Sequence, residues 1–528
     1  MSHGWSRREA LRAAAAALAA GMLPVRWADA AARDVRVAVV GAGLAGLTAA
    51  RRLDASGIDP AAALPGNENV GGATRDLDLP GGHVVEGGGE WIGPGQDRIA
   101  ALADELGVPT FAAYYDGDPI YEIQGRVTRG ALPRFDWREG LQFLRLAYRL
   151  DRMARFLPRG VPWGAADATA LDTITLSQWL EQQNASPWTI ETFRIVTRAV
   201  MSGYPERISL LWFLFYLQSG GGFLKVAEND GGLQDLRFAG GSQLVSLRAA
   251  AALDARVRLG DPVLALEGYG DSPVTVRTRS ATYRAERVIV AMSPADALRL
   301  DFAAGTTPQR DALMRSWARL TRLPLIKHSV VYRKPFWRAA RLNGNVMTDR
   351  APLQLVFDNS PEDGSLGVLT CFLSPTEAPG LAARAERDRL IPRELERYFG
   401  KQALEPQLRV EKDWSTDPWS TGCITPLPPR LLSENGPALR APVGRVHWAG
   451  TESAERGCGY MDGAVRSGER AAAEVAGHDL AVASRARVVA ADSSGGLHWQ
   501  GALRRLSPEL WLAEGRAREG RARRAAAL

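Results

Sequence analysis

The chain is poor in the residues that crosslink proteins or hold metals. Its 528 residues include three cysteines, Cys371, Cys423 and Cys458, too few for a disulfide framework and without metal-binding spacing. The odd count leaves at least one thiol unpaired. No metal-ligand cluster or Ser–His–Asp arrangement is detectable. Lysine is scarce too, at five of 65 basic residues. No segment approaches the length of apolar chain that spans a bilayer, which excludes stable membrane insertion. A basic binding surface is missing despite the formal charge of +6. Residues 1–34 carry five Arg against three acids and residues 499–528 seven Arg against three Glu, so the ends hold the whole excess. The body is neutral, and a nucleic-acid partner is excluded.

Several local patterns remain. At the N-terminus, "SRREALRAAAAALAAGMLPVRWADAAA" joins Arg7 and Arg8 to a short Ala/Leu run and to small residues that suit cleavage near Ala30 or Ala32. Residues 1–32 read as a twin-arginine leader, which implies export of a folded protein; the alternative is an Ala-rich disordered leader. Next, "VAVVGAGLAGLTAARRL" reads as buried strand, glycine turn and helix. In such a motif Gly41 permits the tight turn and Gly43 the approach of a pyrophosphate. Gly46 lets the helix pack on the strand, and the helix N-terminus favours an anion. "VRLGDPVLALEGYG", "ATYRAERVIVAMSP" and "GRVHWAGTE" read as further strand blocks, the last followed by a helix from about Gly463 to Val475. Asp59 to Leu64 is the expected second strand, and Leu141 to Leu157 and Leu176 to Gln218 are expected to be helical. The expected fold is α/β. Residues 33–110, 225–300 and 420–478 form a discontinuous Rossmann-type dinucleotide domain, and 111–224 and 301–419 an interleaved α+β substrate domain. Residues 479–528 are an Ala/Arg-rich tail that reads as solvated and disordered.

"AGTESAERGCGYMDGAVRSGERAAAEV" resembles the C-terminal flavin segment of the flavin-dependent monoamine oxidase family, which includes L-amino-acid oxidases. "NVGGATRD", "GGGEWIGPGQDRI", "GDPVLALE" and "IKHSVVYRKPFWR" are similar to its other segments, in family order from about residue 35 to 477. The resemblance implies FAD, held by the first three glycines, by Gly71, Gly72, Arg75, Gly89 and Trp91, and by Val263 at the adenine. Gly450, Thr451 and Glu452 would lie along the ribityl and pyrophosphate, and Met461 would offer its N–H to the isoalloxazine. Lys327 would hold a water against flavin N5, and Trp414 would lie beside the ring. Cys423, nine residues beyond Trp414, matches a cysteine that some members link to the flavin. FAD is therefore expected either as a thioether at Cys423 or non-covalently, with a free thiol there. Tyr460 matches one wall of the family's aromatic substrate cage; Ile424 replaces the other, and Gly457 stands where a Trp is common. His447 reads as structural.

The last absence is an acid. The family's second strand ends in a glutamate that grips the adenosine ribose, but "LPGNENVGG" puts Pro65 there, with Asn67, Asn69 and Ala73 at usual arginines. Losing that carboxylate costs about 1.5–3 kcal/mol, roughly 10- to 150-fold in affinity. Asn67 or Glu68 substitutes if the loop shifts by a residue, and a thioether at Cys423 would make the loss tolerable. The expected reaction is oxidative deamination of a small amine, with O₂ as the second substrate and H₂O₂ as product. Tyr460, Lys327 and Trp414 would shape the flavin face, and a homodimer is a further expected partner state. Two alternatives stand: an L-amino-acid oxidase, and a degenerate flavin fold without catalysis.

Overall fold

In the computed structural model the described residues are 32–477, apart from 64–68, 131–135, 202, 271–272, 304, 321–324, 374–380, 382 and 421–425. The leader, the tail, Leu64 to Glu68 with Pro65 and Asn67, and the segment with Cys423 and Ile424 lie outside them. No helix among the described residues is long and apolar enough to cross a membrane.

The strand Arg33–Val40 is buried from Val37 onward, as its unbroken apolar run requires of a strand covered on both faces. It pairs in parallel with Pro60–Ala63 on one side and Thr282–Ala291 on the other. Thr282–Ala291 is long enough to take two partners along its far edge. Val274–Thr278 runs antiparallel to its start, and Val446–Ala449 runs parallel to its end. Val263–Glu267 and Asp301–Phe302 complete seven strands. The helices Leu44–Ala55 and Met461–Ala476 pack together beside this sheet. A Cβ on Gly468 would lie 2.3 Å from Ala45 O, so the close crossing needs a glycine.

The second seven-stranded sheet runs Leu408–Asp413, Ile326–Tyr332, Gly367–Leu373, Leu353–Asp358, Leu342–Thr348, Asp118–Ile123, Arg126–Arg129. Ile326–Tyr332 is buried along its whole length, and its polar residues are partnered: His328 Nδ1 lies 3.0 Å from Glu411, and Ser329 Oγ 2.8 Å from Thr370 Oγ1. The architecture is α/β, with a Rossmann-type sheet built from separated segments and an interleaved α+β unit.

Two expectations are refined. The stretch Leu176 to Gln218 is three helices, Leu176–Gln182, Pro187–Met201 and Leu210–Gly220. Asn184 adopts φ 53°, ending the first, and Pro187 opens the second, where its missing N–H costs nothing. The last helix starts two residues early, at Met461, because Tyr460 is its N-cap.

Gly46 tests the packing directly, since a Cβ there would lie 2.0 Å from Gly41 O and 3.2 Å from Ala291 Cβ. Gly46→Ala is expected to cost about 1–3 kcal/mol through overpacking. Gly164→Ala, with nothing within 4 Å of the new carbon, should be near neutral. Thermal melts of the two variants check this.

Candidate active site

Two glycine turns face each other at the end of the first strand. Gly41 has φ 109°, and a Cβ on it would meet Ala291 O at 2.6 Å. Gly43 bridges to Gly71, whose N–H donates to Ala42 O at 2.9 Å. A Cβ on Gly72 would lie 3.3 Å from Gly43 Cα, so no side chain stands between the turns. The helix that begins at Leu44 has no side-chain cap and no acid in its first turn, which leaves backbone N–H groups and the positive end of the helix dipole for an anion. The helix from Met461 likewise lacks a side-chain cap. Its one early acid, Asp462, is engaged elsewhere: Oδ1 accepts from the N–H groups of Arg98 and Ile99, capping the helix Asp97–Glu105, and Oδ2 accepts from Arg466 Nε. A glycine cradle and two uncapped helix ends fit a dinucleotide such as FAD. Val263 opens its strand, buried and paired with Thr278. Arg75 is half-buried and makes no side-chain hydrogen bond or ion pair among the described residues.

The candidate residues far apart in sequence meet on one turn, Glu86 to Trp91. Lys327 Nζ donates to Glu86 O at 3.2 Å and Gly88 O at 2.7 Å. Trp414 donates its indole N–H to Gly87 O at 2.8 Å. Gly89 is held by its N–H to Ala73 O at 2.9 Å and by Ser242 Oγ on its carbonyl, and a Cβ on it would lie 3.7 Å from Met461 Cγ. Two of the turn's glycines have no room for a side chain. A Cβ on Gly88 would fall 2.1 Å from Ala73 O, and one on Gly87 2.9 Å from Lys412 Cβ.

Charge is concentrated around that turn. Lys327, 3% exposed, lies 3.1 Å from Glu90 Oε1, with the rings of Trp91 and Phe372 at 5.3 and 4.9 Å. That contact lacks hydrogen-bond geometry, so Glu90 Oε1 has no hydrogen-bond partner among the described residues. One of the three ammonium hydrogens is likewise uncommitted. The other Glu90 oxygen accepts from Asn359 Nδ2. Glu86 pairs with the buried Arg237 at 2.6 Å. Burial pushes Glu90 up to about 7 against the pull of Lys327. Burial, aided by Glu86, pushes Asp76 up to about 8.

On the other side, Gly450 turns at φ 126°, where a Cβ would meet Met292 O at 2.9 Å. Thr451 Oγ1 donates to Tyr460 O at 2.9 Å and accepts from the Gly459 N–H at 2.7 Å, fastening the loop before the last helix. Burial raises Glu452 to about 7, opposed by Arg310, which stacks on Trp448 at 3.4 Å. Tyr460 stacks on Tyr216 at 5.6 Å, with their hydroxyls 2.6 Å apart, and Tyr216 stacks in turn on Trp212 at 5.3 Å. His447 meets Glu474 at 3.0 Å in a structural contact.

Sequence reasoning missed Gly87, Gly88, Glu90, Tyr216, Ser242 and Arg310. The glycine run "GGGEWIG" was a visible signal for the first three. Tyr216 had none, because its helix is buried on every side and it lies 244 residues from Tyr460.

Comparison with known proteins agrees with this geometry. The family described as flavin containing amine oxidoreductase matches residues 44–476. A protein named as a flavin-containing monoamine oxidase, AofH of Mycobacterium tuberculosis, is 36% identical over 445 residues, covering 84% of this chain and 96% of its own. Among solved structures, a putrescine oxidase bound to putrescine is 30% identical with TM-score 0.77, covering 84% of this chain and 99% of its own. Cyclohexylamine oxidase from Brevibacterium oxydans IH-35A is 28% identical with TM-score 0.76 and the same coverage.

Asp76 gives a pH test. Its carboxyl holds a proton to about pH 8 when folded, against an ordinary value of 3.8, so the folded state binds more protons across that window. Stability from this group is full below the ordinary value and falls as pH rises through about 8. Asp76→Asn, neutral at every pH, should therefore gain in melting temperature relative to the native protein between about pH 5 and about pH 8. Parallel melts across that range check the sign.

Proposed function

Because this chain belongs to the flavin-containing amine oxidoreductase family, it is an FAD-dependent amine oxidase, and we propose that its reaction is oxidative deamination. An amine carbon would lose hydride, the imine would hydrolyse to a carbonyl compound and ammonia or a smaller amine, and O₂ would leave as H₂O₂. The convergence of Lys327, Trp414 and Met461 on the Gly87–Gly89 turn carries this reading. When bound, FAD supplies the two-electron acceptor that passes electrons from amine to O₂.

The residues divide the work as follows. The glycines of the two facing turns and the start of the helix at Leu44 would bind the pyrophosphate, with Thr451 and Glu452 beside the ribityl chain. The helix starting at Met461 would place its positive end at the flavin pyrimidine, where it stabilises negative charge. Lys327 brings a fixed buried cation, and its uncommitted hydrogen together with Glu90 Oε1 suits a bound water. Tyr460, fixed by Tyr216 behind it, would form one wall of the substrate space. No side-chain base is assigned, so the amine would enter neutral.

The substrate proposed is a non-aromatic amine. Ile424 and Gly457 stand where the family's rings are common, and the two similar solved enzymes are named for putrescine and cyclohexylamine. Linkage of FAD to Cys423 is proposed on the pairing of a lost ribose acid with a kept cysteine. The Arg7–Arg8 leader supports export of the folded protein.

Purified protein should show a flavin spectrum and release peroxide with aliphatic amines but not with L-amino acids. Peroxide from amino acids alone would replace the reading by an amino-acid oxidase, and no flavin uptake would replace it by a non-catalytic fold. Acid precipitation should leave the yellow colour in the pellet; a yellow supernatant overturns the thioether. Lys327→Met is expected to slow amine oxidation by about 10- to 100-fold, checked by stopped-flow single turnover.

A further inference from the structure

The helix Trp137–Phe156 lies outside the site and exposes an unusual face. Its inner side is fixed: Leu146, Ala147, Leu150 and Ala154 are buried in the main apolar core. Asp151 accepts from the Phe223 N–H at 2.7 Å, and Gln218 donates to Ala154 O. The helix therefore cannot roll its outer side inward. That outer side carries Trp137, Leu141, Tyr148 and Phe156, exposed by 67, 51, 45 and 81%. Only ten large apolar residues are that exposed among the described residues, so four on one helix form a concentration, with Val161 just beyond it. Trp137, Leu141 and Tyr148 fall at i, i+4 and i+11, one stripe of an α-helix. Phe156 closes the far end.

The same face is basic. Arg138, Arg145, Arg149, Arg152 and Arg155 are all exposed. Arg145 and Arg152 make no ion pair or hydrogen bond among the described residues. Of the two acids of the helix, Asp151 is buried and pairs only with Arg155, at 3.7 Å, and Glu139 sits away from the stripe. A chain whose body is neutral overall thus collects five arginines around an aromatic stripe about 30 Å long.

We infer that this helix lies on an anionic lipid surface, with Trp137, Leu141, Tyr148 and Phe156 at the headgroup boundary and the arginines on lipid phosphates. Aromatic and leucine side chains flanked by arginines on a helix with no spanning length are the pattern of interfacial binding. A second copy of the chain fits less well, because a two-fold contact would set these arginines against one another. The basic C-terminal residues, with seven Arg against three Glu over 499–528, would be repelled for the same reason.

The test uses the full chain, with vesicle sedimentation on phosphatidylcholine alone and with about one-third phosphatidylglycerol. The native protein should pellet with the anionic vesicles at low salt and be released by salt. Trp137→Ser with Phe156→Ser, and separately Arg145→Glu with Arg152→Glu, should each weaken binding about tenfold or more. Both pairs should keep the native melting temperature and circular dichroism, since all four side chains are exposed. No binding to anionic vesicles, or equal binding by the variants, overturns the inference; equal binding would assign the lipid contact to the arginine-rich ends. A native dimer that the variants dissociate, seen by analytical ultracentrifugation, also overturns it and gives the face to a second copy.

Discussion

The ammonium of Lys327 is the constraint around which the site is organised. A cation this deeply buried is tolerated only if oxygen atoms surround it, and the chain supplies two backbone carbonyls and a carboxylate from the turn Glu86 to Glu90. The glycine run between them has a separate cause: a Cβ on Gly88 would fall 2.1 Å from Ala73 O and one on Gly87 2.9 Å from Lys412 Cβ. The bare turn then lets Trp414 reach Gly87 and Met461 reach Gly89. The buried charge thus ties the second sheet to the turn Glu86 to Glu90, and the C-terminal helix packs beside that turn at Gly89.

What the sequence made legible was local. Gly41 and Gly46 announced themselves because a left-handed turn and a close contact with Gly41 O five residues earlier are local demands, and Lys327 because a lysine is conspicuous in an apolar strand. Helix breaks were harder: Asn184 ends a helix by adopting a left-handed conformation that its residue type permits but does not require. Partners that depend on tertiary distance left no trace. Nothing in the helix Leu210–Gly220 marks Tyr216 as the support of Tyr460, and Asp462 reads as an ordinary first-turn acid until it is seen capping a different helix.

The chain after the replaced ribose acid is held from both sides. Val70 O accepts from Gln243 Nε2, the Asp76 N–H donates to Gln243 Oε1, and the Gly71 N–H donates to Ala42 O. The second glycine turn is thus fixed by contacts of its own.

The topology of the first sheet sets the order in which the protein can be assembled. Thr282–Ala291 needs Arg33–Val40 on one edge and Val446–Ala449 on the other, and the helix Asp97–Glu105 waits for Asp462 to cap it. A ribosome delivers these pieces in sequence, so the early glycine cradle emerges with its second half still unmade. Such non-local pairing is slow and leaves strand edges open while synthesis continues. The cofactor site is thus complete only when nearly the whole described chain has been synthesised, which makes flavin loading a late event in the life of each molecule.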